Sequence, residues 1–202
     1  LYGKRADVLV EGGTIARIGR DLPVTAERVI EAGAGLLLPG LHDHHIHLAG
    51  LAVRGQSVWC GPPEVIDEAE LRSALAGASG SDWIRGIGYH ESVLGGLPDA
   101  KALDWLVPDR PLRMQHRSGR MWLLNSPALE LLLASAEPPP GLERENGRFT
   151  GRLFDADGWL REALRSKPPD FSLVSQELAR IGVTGLTDMT PQNGPEMAAH
   201  FA

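Results

Sequence analysis

The stretch Pro39-Gly40-Leu41-His42-Asp43-His44-His45-Ile46-His47-Leu48 carries four of the protein's seven histidines within six residues. On an extended strand alternate residues share a face, so Asp43, His45 and His47 point one way and the residues between them point the other way. Two imidazoles on one strand face can both reach a single divalent ion, and Asp43 can orient one of them or lie beside the metal. The alternative is an exposed polar strand end, because histidine-x-histidine alone is a weak signal.

The residues just ahead of the cluster favour the metal hypothesis. Leu36-Leu37-Leu38 is an apolar run that predicts a buried strand, which would deliver the histidines to its carboxyl end. Barrels and open sheets of the α/β class place their sites at that end. Zinc suits nitrogen and oxygen ligands best, with iron and manganese as alternatives.

The segment 1–38 reads as a small β-layer. Residues 6–10 and 14–19 flank the turn Glu11-Gly12-Gly13 and predict a hairpin, and residues 29–31 and 35–38 predict two more strands. Because these strands are too few to close on themselves, the sequence predicts the N-terminal part of a composite β-sandwich whose other strands lie elsewhere.

The rest of the chain mixes helices and strands. Asp67 is placed to cap a helix over 67–76, and strands are predicted at 83–89 and 111–116. Ser126-Pro127 predicts a helix start with Ser126 as the cap. Asn146-Gly147 predicts a tight turn between two strands, and a helix follows over about 157–166. Ser172 is expected to cap a helix that ends at Gly182, and 183–188 is a buried strand ending in Asp188. Helix, turn and strand form half of a βαβ crossover, which predicts an α/β fold, and another helix starts at about 194.

Composition excludes several classes of function. The 202 residues are 43% hydrophobic and 23% charged with a net charge of −6, which fits an ordinary globular chain and argues against nucleic acid as a partner. No apolar run reaches 18 residues, so no membrane partner is expected, and the N-terminus shows no secretory signal. The single cysteine, Cys60, cannot form an internal disulfide, which favours the cytoplasm. A small molecule is the expected partner, and homo-oligomerisation is left open.

The histidine stretch has a family resemblance. Residues 38–48 resemble the opening signature of the amidohydrolase superfamily, L-P-G-(F/L)-I-D-x-H-x-H-(L/I). Further segments resemble amidohydrolase family 3, which includes the formamide-deformylase-like enzymes, in the family's order along nearly the whole chain. They are Trp83-Ile84-Arg85-Gly86, Gly88-Tyr89-His90-Glu91, Val107-Pro108-Asp109-Arg110-Pro111, Trp122 with Asn125-Ser126, and Gly182–Asp188.

The resemblance implies an α/β fold of the metal-dependent hydrolase (β/α)8 TIM-barrel type, incomplete in this chain, with the barrel starting at 39 and running to 202. Residues 39–48 would be barrel strand one, about 50–170 an insertion, and about 172–188 the helix and strand two. It implies that His45 and His47 are ligands of one or two divalent ions, zinc first. The remaining ligands and the proton-shuttling aspartate are expected beyond Ala202, so the chain would be the front part of a longer enzyme.

Substrate contacts are assigned to His116, Arg117 and His90, which follow predicted strands. The alternatives are a surface turn at Tyr89-His90-Glu91 and an ordinary ion pair for Arg117. Arg120 stands where many relatives carry histidine, which removes support for a catalytic role there. Asp188 either reaches the site or caps the next turn. Cys60 is expected to be buried and inert, and the tryptophans at 83, 105, 122 and 159 are expected in the core.

Three functions follow from these residues. The first is hydrolysis of a carbon–nitrogen bond other than a peptide bond, in an amide or formamide-like substrate, by metal-activated water. In that case the complete protein is the enzyme, and little or no turnover is expected from these 202 residues alone. The second is a truncated, non-catalytic barrel fragment that serves as a binding module. The third and weakest is another metal protein with two histidine ligands, such as an oxygenase.

Overall fold

The structure is a computed structural model that describes residues 5–24, 28–33, 35–80, 82–165, 168–190 and 194–201. It divides into two units, Leu1–Leu41 and His42–Ala202. The predicted mixed α/β fold is confirmed, because helices and strands alternate through the second unit.

The first unit contains a β-hairpin. Strand β1 (Asp7–Glu11) pairs antiparallel with β2 (Thr14–Gly19), as the sequence predicts. The turn between them uses Gly12 and Gly13 at φ values of 56° and 79°, a region that glycine enters without steric cost.

The strands predicted at 29–31 and 35–38 are wrong. These described residues have no regular structure, and Leu36, Leu37 and Leu38 are 77%, 69% and 60% exposed. An apolar run becomes a buried strand only where other elements cover it, and the two strands described in this unit pair with each other. The β-sandwich therefore stays a prediction.

The histidine stretch opens the second unit on a pair of strands. Strand β3 (Leu41–Ile46) lies beside β10 (Val183–Asp188), whose bounds are those that the sequence predicts. The predicted burial of β10 is wrong, because each of its residues is exposed or partly exposed. The Met189 amide donates to the Ile46 carbonyl at 2.8 Å. Helices α1 (Leu48–Arg54) and α6 (Ser172–Arg180) contact each other and enclose a small apolar cluster with Ile46, Leu48 and Val174 at its centre. Helix α7 (Pro195–Phe201) follows.

A six-stranded sheet occupies the residues between these elements. Its strands are β4 (Val58–Trp59), β5 (Ile84–Tyr89), β6 (Leu112–His116), β7 (Met121–Leu124), β8 (Leu142–Glu145) and β9 (Arg148–Phe154). The order is β4-β5-β6-β7-β9-β8; the first three strands are parallel, and the remaining pairings are antiparallel. The predicted strands at 83–89 and 111–116 and the turn at Asn146-Gly147 are confirmed. A closed barrel stays a prediction.

Apolar clusters and helices accompany this sheet. One cluster holds Leu112, Met114 and Leu123 together with side chains of α2 (Glu68–Ala76) and α3 (Ala100–Leu106). The other holds Trp122, Leu124 and Leu153 with side chains of α4 (Ser126–Leu133) and α5 (Asp157–Ala163). Successive residues of β6 and β7 alternate between the two faces of the sheet.

Two of the predicted helix caps are wrong and one is confirmed. Asp67 caps α2 by accepting the Glu70 amide. Helix α4 is capped by Asn125 instead of Ser126, and α6 begins after Phe171 without a side-chain cap, because Ser172 bonds back to Asp170. Serine is a frequent cap, but the residue whose side chain reaches the free amides is decided by the preceding loop.

Two further predictions differ in detail. Helix α5 ends at Ala163, before the predicted end at 166, a residue outside those described. Trp105 is 81% exposed because it lies nearly opposite Leu103 on α3, whereas Trp122 is buried and Trp83 and Trp159 are partly buried. Within the described part of the chain, no helix is long and apolar enough to cross a membrane.

Candidate metal centre

The histidine rings separate onto the two faces of β3 as the alternation predicts. His45 and His47 have ring centroids 5.4 Å apart with perpendicular planes, and His42 and His44 have theirs 4.4 Å apart. His45 and His47 are exposed, whereas Ile46 between them is buried in the apolar cluster with Leu48 and Val174. The strand therefore presents two imidazoles together at its carboxyl end.

The spacing of these two rings suits one metal ion. A zinc–nitrogen bond is about 2.0–2.1 Å, so each ring centroid lies roughly 3 Å from a bound ion and the two centroids can be up to roughly 6 Å apart. The observed 5.4 Å falls within that reach. Across the residues that the structure describes, no group of three or more histidine, cysteine, aspartate or glutamate side chains could hold a metal ion. Metal binding by His45 and His47 therefore stays a prediction.

Asp43 and Asp188 bond to backbone amides around the pair. Asp43 Oδ1 accepts the amide of His45 at 3.0 Å. Asp188 Oδ2 accepts the amide of Leu48 at 3.0 Å, and its Oδ1 accepts the amide of Thr190 at 2.7 Å. Of the two alternatives for Asp188, the contacts show the turn-capping one, and they tie the end of β10 to the residue after His47.

A second cluster lies at the carboxyl ends of β5 and β6. His90 and His116 each follow the same pattern: the Nδ1 atom lies 2.8 Å from the hydroxyl oxygen of the serine two residues later and accepts that serine's amide at 3.2 Å. An Nδ1 atom that accepts a backbone N–H leaves the proton of a neutral imidazole on Nε2. Both rings therefore present Nε2–H groups.

These two Nε2 atoms face one carboxylate. Glu91 Oε2 is 3.2 Å from Nε2 of His116 and 3.8 Å from Nε2 of His90. The His116 Nε2 atom is closed to solvent, and it lies near Glu91 Oε2 without meeting the geometry of a hydrogen bond. The pKa of Glu91 lies below its ordinary value because of the hydrogen bond from its own backbone amide and then because of His116. The sequence places Glu91 at a strand end but does not predict its contact with His116, although histidine-x-serine follows both neighbouring strands.

Arg117 stands apart from this cluster. Its backbone amide donates to the Tyr89 carbonyl at 2.9 Å, while its guanidinium is exposed and contacts no acceptor among the described residues. The surface ion pair in this region belongs to Arg120, which donates twice to the Asp155 carboxylate at 2.8 and 2.7 Å. The substrate contacts predicted for Arg117, His116 and His90 stay predictions.

Cys60 is buried, as predicted. Its thiol donates to the Val58 carbonyl at 3.3 Å, and burial raises the pKa of this thiol to about 12. A thiol in this environment stays protonated at neutral pH and is a poor nucleophile.

The fold is that of metal-dependent hydrolases. A crystal structure of an uncharacterized metal-dependent hydrolase from Pyrococcus horikoshii OT3 matches 81% of this chain and 33% of its own, with a TM-score of 0.60 and 22% identity.

Sequence comparison gives the family. The model of the amidohydrolase family matches residues 28–198, and the chain belongs to this family, which confirms the resemblance. The N-substituted formamide deformylase of Arthrobacter pascens is 31% identical over 74% of this chain and 30% of its own length. Protein LONG AFTER FAR-RED 3 of Arabidopsis thaliana is 28% identical over 78% of this chain and 33% of its own. The chain thus spans about a third of the length of these relatives.

Proposed function

We propose that this chain is the metal-binding front part of a hydrolase that acts on carbon–nitrogen bonds other than peptide bonds, in an amide or formamide-like small molecule. The observation that carries the proposal is the pair His45 and His47, two exposed imidazoles at the carboxyl end of β3, at a separation that suits one ion. Membership of the amidohydrolase family and the similarity to a formamide deformylase support the reaction class.

In this proposal His45 and His47 hold a divalent ion, zinc first, alone or with a second ion. A bound metal would lower the pKa of water and polarise the substrate carbonyl. Asp43 fixes the strand through the His45 amide, and Asp188 fixes the turn after His47 through the Leu48 amide. We therefore assign Asp43 and Asp188 the role of positioning the two histidine side chains that would bind the metal.

The proposal also covers the domain organisation and the substrate contacts. Strand β3 would be barrel strand one and β10 strand two, with the six-stranded sheet as the insertion between them, and segment 1–38 would belong to a β-sandwich. His116, His90 and Arg117 would contact substrate, and the proton-shuttling aspartate would come from a later part of the polypeptide. The lone buried cysteine supports a reducing, cytoplasmic setting.

Zinc binding to the purified chain tests the first step. Competition with a fluorescent chelator should show that His45→Ala or His47→Ala weakens zinc binding by about tenfold or more, because each loses one of two nitrogen ligands. His44→Ala is the matched control, since its ring lies on the other face of β3. Equal affinities for His44→Ala and His45→Ala would contradict the assignment.

The reaction itself is tested on the longer protein that contains this chain. His45→Ala or His47→Ala should abolish amide hydrolysis, while His44→Ala should retain it. Hydrolysis at the wild-type rate in the presence of a strong chelator would overturn the metal mechanism. Zinc binding without hydrolysis of any amide or formamide substrate would favour the second candidate, a non-catalytic module; the incomplete ligand set within the described residues is the observation that keeps this candidate.

A further inference from the structure

Two arginines face each other near the start of β5 and β6. Arg85 and Arg113 are direct partners in the parallel register, so their side chains leave the sheet on the same face. The indole of Trp122 on β7 lies against both, with its ring 5.7 Å from the Arg85 guanidinium carbon and 5.6 Å from that of Arg113. Both arginines are partly buried. The strands thus place two positive charges side by side against an aromatic wall.

The hydrogen bonds of this pair are incomplete. Arg85 donates to the Ser57 hydroxyl at 2.8 Å, whereas the Arg113 guanidinium makes no hydrogen bond to any described residue. The Arg113 Nε–H is closed to solvent without an acceptor. No carboxylate in the described part of the chain lies within 4.0 Å of either guanidinium. A buried donor left in this state is costly to the folded chain.

Neighbouring charge offsets the pair only in part. Asp157 is close enough to favour the charged form of Arg85, but its Oδ1 accepts the Trp122 indole N–H at 2.8 Å. Burial and, to a smaller extent, the positive charge of Arg85 lower the pKa of Arg113 to about 10. Both guanidiniums remain charged at neutral pH, so the surroundings of the pair hold more positive than negative charge.

Two other partly buried arginines, one before β6 and one in β9, have hydrogen-bond acceptors for their guanidinium groups. Arg110 donates to three backbone carbonyls, and Arg152 donates to the Glu143 carboxylate and to the Leu97 carbonyl. Arg113 is as shielded as these residues but lacks their acceptors. The missing partner must therefore supply oxygen acceptors and negative charge.

We propose that Arg85 and Arg113, beside the face of Trp122, bind a small oxyanion, the carboxylate or phosphate group of a free molecule. The guanidinium forks match the geometry of these planar or tetrahedral oxygen groups. The Ser57 hydroxyl donates to the Val53 carbonyl at 2.7 Å and accepts from Arg85, so it orients Arg85. This site uses none of the histidines of the proposed metal centre and does not depend on them.

The test is a titration of the purified chain with inorganic phosphate and, separately, with acetate, each at constant ionic strength. The Trp122 indole N–H resonance is the reporter, because the indole contacts both arginines. We expect saturable binding of at least one of the two anions, weakened about tenfold or more by Arg113→Gln, since one charged fork is lost. Arg148→Gln is the matched control and should bind like the wild type, because Arg148 is exposed and its guanidinium makes no hydrogen bond to a described residue. Phosphate binding alone or acetate binding alone identifies which anion the site prefers.

Arg113→Lys is a second test variant, in case Arg113→Gln does not fold. Lysine keeps the positive charge but lacks the planar guanidinium group, so this variant should fold and should bind the anion more weakly than the wild type. Absence of saturable binding of both anions in the millimolar range, or equal affinity in the wild type and Arg113→Lys, would overturn the proposal. If an acidic side chain of the longer polypeptide pairs with Arg113 instead, the longer protein will bind neither anion while Arg113→Gln destabilises it, and this result also overturns the proposal.

Discussion

The strongest stability prediction concerns Asn125, a fully buried residue just before α4. Its Oδ1 accepts the amides of Leu112 at 2.8 Å and Ala128 at 3.1 Å. Its Nδ2 donates to the carbonyls of Val107 at 2.9 Å and Arg110 at 2.8 Å. One side chain thus caps a helix, pairs an amide of β6 and closes the loop that follows α3.

Asn125→Ala leaves all four of these backbone groups without a partner. The lost cap is worth about 1 kcal/mol, and each of the other three bonds is worth about as much. We therefore expect the free energy of unfolding to fall by about 4 kcal/mol, near the upper limit for a single substitution. Against a typical total of about 5–15 kcal/mol, this is a large part of the stability of the fold.

Urea unfolding followed by circular dichroism measures this change, with Ser126→Ala as the matched comparison. Ser126 is the cap that the sequence predicts, yet its hydroxyl donates to the Asp104 carboxylate at 2.6 Å. Its loss should cost about 1.5 kcal/mol, because only one bond to a charged acceptor disappears. A larger loss for Ser126→Ala than for Asn125→Ala would refute the assignment of the cap and of the network.

Two further predictions follow from shifted pKa values. The Cys60 thiol has a pKa of about 12, so it should react with a disulfide reagent only when the chain unfolds. Its modification rate should therefore increase with the unfolded fraction as the urea concentration is raised. Rapid labelling of the folded chain would contradict this prediction. For Glu91, a pKa below the ordinary 4.5 adds stability above that pH, and this stability is lost as the pH falls through the lower, folded-state value. Urea midpoints of the wild type should therefore fall more steeply than those of Glu91→Gln as the solution is acidified below 4.5. Parallel curves would show that neither the backbone hydrogen bond of Glu91 nor its contact with His116 has an energetic effect.

Several signals that act within a few residues were predicted correctly from the sequence, although the caps at Ser126 and Ser172 were not. Asp67 reaches an amide three residues away, and the Asn146-Gly147 turn uses positive φ values of 50° and 78° at adjacent positions. The alternation of the histidine rings on β3 follows from the geometry of a single strand. The bounds of β10 follow from the glycine at 182 and an apolar, β-branched run after it.

Features that depend on pairing between distant segments could not be predicted. Glu91 meets His116 because β5 and β6 are neighbours in a parallel register, which their separate sequences do not state. Leu36, Leu37 and Leu38 have the composition of a buried strand, but no described strand covers them.

The sequence by itself determined the family and the placement of two metal-ligand candidates on one strand face, because a repeat of two residues fixes side-chain direction in any extended strand. Only the tertiary structure decided which side chain caps α4, which carboxylate joins His90 and His116, and that Arg85 faces Arg113 across two strands. The physical reason is register: the neighbour across a strand boundary is chosen by the packing of the whole sheet, and a slip of one residue would place every one of these side chains on the other face.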